Sequence, residues 1–114
     1  MQAKQALTID VHQLSERLAM QPPVCLLDVR EKDEWEICCI DGAALLPMSE
    51  IDQRFRDLDS ERETVVYCHH GIRSLRVAQF LVANGFKRVV SLAGGIDAWS
   101  AEIDPSVLRY GVGR

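Results

Sequence analysis

"VVYCHHGIRSLRVAQFLVANG", residues Val65 to Gly85, reads as a strand, a short loop and a helix in direct succession. With Thr64 in front, the run Thr64 to Tyr67 is β-branched and aromatic, the composition of a strand buried on both faces. From Ser74 onward, apolar residues return at helical spacing. Leu75, Ala78, Leu81 and Val82 share a face, and Gly85 supplies the stop. Between strand and helix stand Cys68, His69, His70, Gly71, Ile72 and Arg73.

The same alternation extends in both directions. Leu7 to Ile9 predicts a short first strand. Asp10 then caps a helix, with Gln13 at the capping-box position and Val11, Leu14 and Leu18 as its apolar stripe. Pro22 and Pro23 end that helix, and "VCLLDV" (Val24 to Val29) follows as a buried strand. "REKDEWEI" reads as a short helical turn with Trp35 inward, and Ala43 to Pro47 as another strand. Ser49 is expected to cap the next helix, with Ile51, Phe55 and Leu58 inward. Arg88 to Leu92 is the last strand, Gly94-Gly95 a turn and "IDAWSAE" a final helix. Alternating strands and helices predict an α/β architecture with a mostly parallel sheet.

Composition narrows the function classes. The 114 residues suit one domain, residues 1–114, with a core over about 7–102 and a short tail over 103–114. They are 47% hydrophobic and 26% charged, in the globular range, and carry a net charge of −4. That charge argues against bulk binding to nucleic acid or anionic lipid, so an anionic substrate needs a local positive site. No run reaches the roughly 20 apolar residues of a membrane span, and "MQAKQALTID" has no signal core. A cytoplasmic location is the expectation. The four cysteines, Cys25, Cys38, Cys39 and Cys68, are spaced unlike a disulfide framework and read as reduced thiols, with Cys25 in the core.

Cys68 carries the chemistry. A cysteine closing an apolar strand is in general a small buried hydrophobe. Here a loop and a helix N-terminus follow, and ligands of open α/β sheets bind beyond the carboxyl ends of strands. The loop is expected to turn backbone N–H groups inward, and the helix start adds unpaired donors and partial positive charge. Gly71 permits a backbone geometry that a side chain blocks, and Arg73 adds a permanent cation. In such settings a cysteine pKa falls from about 8.5 to roughly 3.5–7.5, and the thiolate attacks sulfur or phosphorus.

Cys-x-x-Gly-x-Arg after an apolar strand, as in "YCHHGIRS", resembles the active loop of the rhodanese (sulfurtransferase) family. "LLDVREKDEWE", "CIDGAALLPM" and "GFKRVVSLAGGIDAW" are similar to three further signatures of that family, in the family's order. The resemblance implies a central five-stranded, mostly parallel sheet with helices on both faces. It implies a Cys68 persulfide that takes sulfur from thiosulfate or another persulfide and passes it to cyanide, a thiol or a sulfur-carrier protein. The amides of His69 to Arg73 would cradle the persulfide, and Arg73 would close the loop by hydrogen bonds. Asp28 and Arg30 match a signature pair expected to brace the loop, with Ser74 supporting it. No metal or organic cofactor is implied. The tail "DPSVLRYG" resembles the ends of rhodanese domains attached to adenylating enzymes that serve sulfur carriers. In one departure, Cys39 stands where family members usually carry a histidine.

The remaining residues are less specific. His69 and His70 sit where the donor's anionic end would lie. Histidines, being only partly cationic at neutral pH, would favour a persulfide donor over thiosulfate. Adjacent Cys38 and Cys39 cannot easily chelate one tetrahedral ion and are expected to pack beside Trp35 and Ile40. His12 is expected to face solvent, and Trp35 and Trp99 to anchor packing. Two rival functions stand beside sulfur transfer. Protein tyrosine phosphatases also close a cysteine loop with arginine, but with five intervening residues where this chain has four, His69 to Ile72. A non-catalytic rhodanese-like binding or regulatory module is the other, and such modules often lack the cysteine.

Overall fold

The computed structural model describes residues 7–111, so the readings made on residues 1–6 and 112–114 lie outside it. Five strands, β1 (Thr8–Ile9), β2 (Cys25–Asp28), β3 (Ala44–Leu45), β4 (Thr64–Tyr67) and β5 (Val89–Leu92), form one sheet in the order β1-β5-β4-β2-β3. Every pairing is parallel. The helices are α1 (Val11–Leu18), α2 (Lys32–Ile37), α3 (Ile51–Arg54), α4 (Ile72–Ala83) and α5 (Gly95–Glu102).

Strand alternation divides the core in two. Leu27 and Val66 pack with Ile51 and Phe55 at α3 and with Val77, Ala78 and Leu81 of α4. Their neighbours Leu26, Val65 and Tyr67 point the other way, to Val11 and Leu14 of α1 and Ile96 and Trp99 of α5. A strand covered on both faces carries no polar alternation, so β4 is buried at all four positions.

Local signals are met where their partners are close in sequence. Asp10 and Gln13 form the reciprocal capping box of α1, with bonds of 2.8 Å each way. Gly85, at φ +95°, closes α4, with Phe86 N–H bonded to Leu81 O and Gly85 N–H to Val82 O.

Five expectations are corrected. The inward face of α4 is Ser74, Val77, Ala78 and Leu81; Leu75 is half-buried and Val82 exposed, because the helix packs with Ser74 against the end of the sheet. Ser49 caps nothing: it lies inside a 3-10 turn, Met48–Glu50, and its hydroxyl donates to Glu31 Oε1 at 2.9 Å. Leu18 ends α1 exposed, and Cys25, the first residue of β2, is only half-buried. Trp35 is half-buried, since α2 has no fully buried residue and lies across the carboxyl end of the sheet.

The topology creates the site. From β2 the chain moves outward to β3, and from β4 it moves the opposite way to β5. Adjacent strands β2 and β4 therefore form a switch point, and a crevice opens at their carboxyl ends. Asp28 and Arg30 leave one strand there and Cys68 the other.

Candidate functional site around Cys68

Cys68 is 1% exposed and packs in the same cluster as Leu27 and Val66. Its sulfur nonetheless has polar company. Gly71 N–H donates to Sγ at 3.1 Å and Ser74 N–H at 3.4 Å, while Ser74 Oγ lies 3.5 Å away. Gly71 is the N-cap of α4 and Ser74 its third residue, so Sγ sits on the N-terminus of a 12-residue helix. Sulfur thus satisfies donors that a helix start leaves unpaired.

The loop owes this orientation to α5. Cys68 O accepts from Ile96 N–H at 2.9 Å and His69 O from Asp97 N–H at 3.1 Å. Two carbonyls are thereby turned toward one helix N-terminus, and the N–H side faces Sγ. The close approach requires Gly95, at φ +60°, where an added Cβ would fall 2.5 Å from the Cys68 carbonyl oxygen and against that of His69. Gly95→Ala is expected to destabilise the fold by at least about 2 kcal/mol, from left-handed strain plus backbone displacement. Urea melts measure it, and a loss under about 0.5 kcal/mol, the size of an ordinary surface change, would show that the loop yields freely.

Arg73 is placed differently from expectation. Its guanidinium forms a two-pronged pair with Glu34 of α2, at 2.7 and 2.9 Å, rather than hydrogen bonds within the loop. The cysteine loop is thus tied to α2, 39 residues away in sequence. Arg73's hydrogen bonds hold the Glu34 carboxyl at a pKa of about 2, against an ordinary 4.5 and against the opposing effect of burial. A depressed carboxylate pKa contributes stability that is present above the unfolded value and lost as pH falls toward the folded one. Unfolding free energy is therefore expected to decline between pH 4.5 and about 2. Solvent screening at this part-exposed pair reduces the effect to the order of 1 kcal/mol. Glu34→Gln should flatten that slope in denaturant melts across the window; an unchanged slope would remove Glu34 as its source.

Behind α2, Asp28 and Arg30 form a fully buried pair. Arg30 Nη2 meets Asp28 Oδ2 at 2.7 Å and Cys38 O at 2.6 Å. Arg30 Nη1 donates to Glu34 O at 3.3 Å and Tyr110 Oη at 3.0 Å. The pair braces α2, and through Glu34 it reaches Arg73.

The histidines diverge. His69 is sandwiched between His70 and Tyr110, with ring centroids 3.9 and 4.0 Å apart. Its Nε2 bonds the Tyr110 carbonyl at 2.9 Å. That carbonyl only accepts, so Nε2 carries the proton. Burial, then the neighbouring His70, lowers the His69 pKa and favours the neutral ring. His70 is exposed and lies 3.7 Å from Asp97. His69, His70 and Asp97 bring their ligand atoms within 4.8 Å of one another. Asp97, however, already receives two hydrogen bonds from Arg109, each 3.0 Å. Ile72 stands 71% exposed at the loop rim. Cys38 and Cys39 are half-buried, and all four cysteines are unpaired.

Comparison with known proteins shows the family. Residues 10–102 match the family model for the rhodanese-like domain. The chain belongs to the rhodanese family. A sulfurtransferase of Allochromatium vinosum is 38% identical over 103 residues, covering 90% of this chain and 96% of that protein. The thiosulfate sulfurtransferase GlpE of Coxiella burnetii is 40% identical over 84 residues, covering 74% of this chain and 78% of its own. The probable adenylyltransferase/sulfurtransferase MoeZ of Mycobacterium tuberculosis is 36% identical over 96% of this chain, which spans only 28% of the length of that relative. Among solved structures, a rhodanese-related protein of Thermoplasma volcanium superposes with a TM-score of 0.80 at 30% identity, over 90% of this chain and 98% of its own.

Within this rhodanese-like domain, sequence reading missed three partners. Glu34 lay inside the acidic segment already quoted. Ser91 was a polar residue in an otherwise apolar strand, a signal in itself, and its hydroxyl meets Ser74 Oγ at 2.7 Å. Tyr110 lay in the tail quoted above for its resemblance to the ends of certain rhodanese domains, a resemblance that gave it no partner at the loop.

Proposed function

We propose that this rhodanese-like domain is a sulfurtransferase working through a Cys68 persulfide, with Arg73 and the loop His69 to Ile72 as its substrate-facing groups. The observation that carries the reading is the pair of backbone N–H groups, from Gly71 and Ser74, aimed at Sγ at the N-terminus of α4. Fixed donors of this kind stabilise negative charge without reorganisation. The Cys68 thiolate attacks the outer sulfur of the donor. An Sγ–S bond forms and the donor's S–S bond breaks, releasing sulfite from thiosulfate or a thiolate from a persulfide. The negative charge then rests on the outer sulfur. A nucleophilic acceptor, such as cyanide or the thiolate of a small molecule or of a sulfur-carrier protein, attacks that sulfur and bonds to it, and the electron pair of the Sγ–S bond returns to Cys68. Family members named as sulfurtransferases support the assignment. The four-residue spacing from Cys68 to Arg73 favours sulfur over a phosphoryl group.

Intact mass after incubation with thiosulfate or a small persulfide tests it. One added sulfur, discharged by cyanide as thiocyanate, is expected. No uptake from either donor, or ready turnover of an aryl phosphate, would overturn the reading.

A further inference from the structure

After α5 the chain turns back over the crevice. Val107 N–H bonds Asp104 O at 3.0 Å, and Ser100 Oγ donates to Val107 O. Val107 and Tyr110 then pack against the α1/α5 side of the core. The strap Asp104–Gly111 ends beside the cysteine loop, and Tyr110 fastens it by four separate contacts. Its hydroxyl donates to Glu34 Oε2 at 2.9 Å and accepts from Arg30 Nη1 at 3.0 Å. Its ring stacks on His69 at an interplanar angle of 9°, and its carbonyl accepts from His69 Nε2. The fit extends to the next residue, for a Cβ at Gly111, φ +73°, would come 2.9 Å from His69 Cε1.

These contacts have an electrostatic consequence. Glu34 is the carboxylate that neutralises Arg73, and Tyr110 donates to Oε2, the same Glu34 oxygen that Arg73 Nη2 bonds. Arg30 and Arg109 likewise face Asp28 and Asp97. With the strap seated, each of these three arginines at the loop is matched by a carboxylate. A dianionic donor gains little from a cation already paired, whereas a donor carrying less charge loses less by its absence.

We infer that Tyr110 is a specificity-determining and positioning residue: by latching the strap onto Glu34 and His69 it keeps Arg73 paired and biases the loop toward persulfide donors over thiosulfate. The inference rests on the sulfurtransferase reading above, and it assigns the donor preference to the tail, with the histidines held in place by it.

The test compares the full-length wild type, Tyr110→Phe and Tyr110→Ala. The readouts are kcat/KM with thiosulfate and with a small alkyl persulfide, each resolved into kcat and KM, and sulfur uptake by intact mass. Tyr110→Ala, which loses both the stack and the hydroxyl, is expected to raise the thiosulfate-to-persulfide ratio about fivefold, the scale of one part-exposed ion pair. The change should appear in the KM for thiosulfate, which a merely structural role would not move selectively. Tyr110→Phe keeps the stack on His69 and loses only the hydroxyl bonds, and it should shift the ratio in the same direction by about twofold or more. It serves as the test should the alanine variant fold poorly. If wild type takes up sulfur and the ratio stays unmoved in Tyr110→Phe and in folded Tyr110→Ala, this inference alone falls. If wild type takes up sulfur from neither donor, the sulfurtransferase reading falls and takes this one with it.

Discussion

Cys68→Ser is expected to abolish sulfur uptake, with turnover reduced by more than about 10³, while the fold survives nearly unchanged. The two halves of that expectation have separate causes. Serine is close to cysteine in shape, and its Oγ can accept the same N–H groups, from Gly71 and Ser74, that Sγ accepts. The loop is in any case held from outside, by the bonds of Cys68 O and His69 O to the start of α5, and these are backbone contacts that the substitution leaves alone. Chemistry is another matter. A serine hydroxyl needs a base to become a nucleophile, the side-chain sulfur it replaces bonds Gly71 and Ser74 and neither histidine, and His69 has its Nε2 committed to the Tyr110 carbonyl. Oxygen also cannot supply the sulfur–sulfur bond in which a persulfide stores its cargo. The check is intact mass after donor treatment, read beside a thermal melt. Sulfur retained by Cys68→Ser and released by cyanide would move the active thiol to Cys25, Cys38 or Cys39.

Arg30→Met is expected to cost about 3–5 kcal/mol, the scale of breaking a buried ion pair by removing one partner. Arg30 and Asp28 are both 0% exposed, so water cannot replace the lost partner. Asp28 would keep the backbone N–H of residue 30, now at 2.9 Å from Oδ1, and lose the guanidinium that contacts both its oxygens. Cys38 O would lose its guanidinium donor, and Glu34 O would be left with the Cys38 N–H alone, at 3.4 Å. Against a typical total of 5–15 kcal/mol this is a large fraction, and the melting temperature should fall by roughly 10–20 °C. Arg30→Lys should be nearly as damaging, because one ammonium cannot reach Asp28, Cys38, Glu34 and Tyr110 at once. The double variant Asp28→Asn with Arg30→Met should recover part of the loss, since no uncompensated charge is left behind. A loss under about 1 kcal/mol for Arg30→Met, in the range of a surface salt bridge, would mean that solvent enters the site.

These two effects sit on opposite sides of what is legible in the chain itself. The strand–loop–helix from Thr64 to Gly85, the Asp10–Gln13 capping box and the Schellman stop at Gly85 were all readable. The capping box and the helix stop depend on hydrogen bonds spanning three to five residues, so neighbouring residues encode them, and the strand shows in its unbroken apolar, β-branched run. Alternation of apolar strands with helices likewise carried the parallel α/β class, and Cys68 and Gly71 stood in the short loop just before the predicted helix start at Ser74.

Tertiary structure decided the partners of the charged side chains and the exposure of the helix faces. Leu75 and Val77 are equally apolar, and only docking of α4 on the sheet makes Val77 the buried one. Arg73 finds Glu34 at a distance of 39 residues, and Tyr110 finds Arg30 at 80. Such choices depend on where α2 and the strap come to rest, and a long, flexible arginine or an amphipathic tyrosine is compatible with many partners until packing removes the others. The chain alone marks Cys68 as the sulfur at a helix start; the assembled fold decides that Arg73 is paired with Glu34, and that Tyr110 stacks on His69 and bonds that same Glu34.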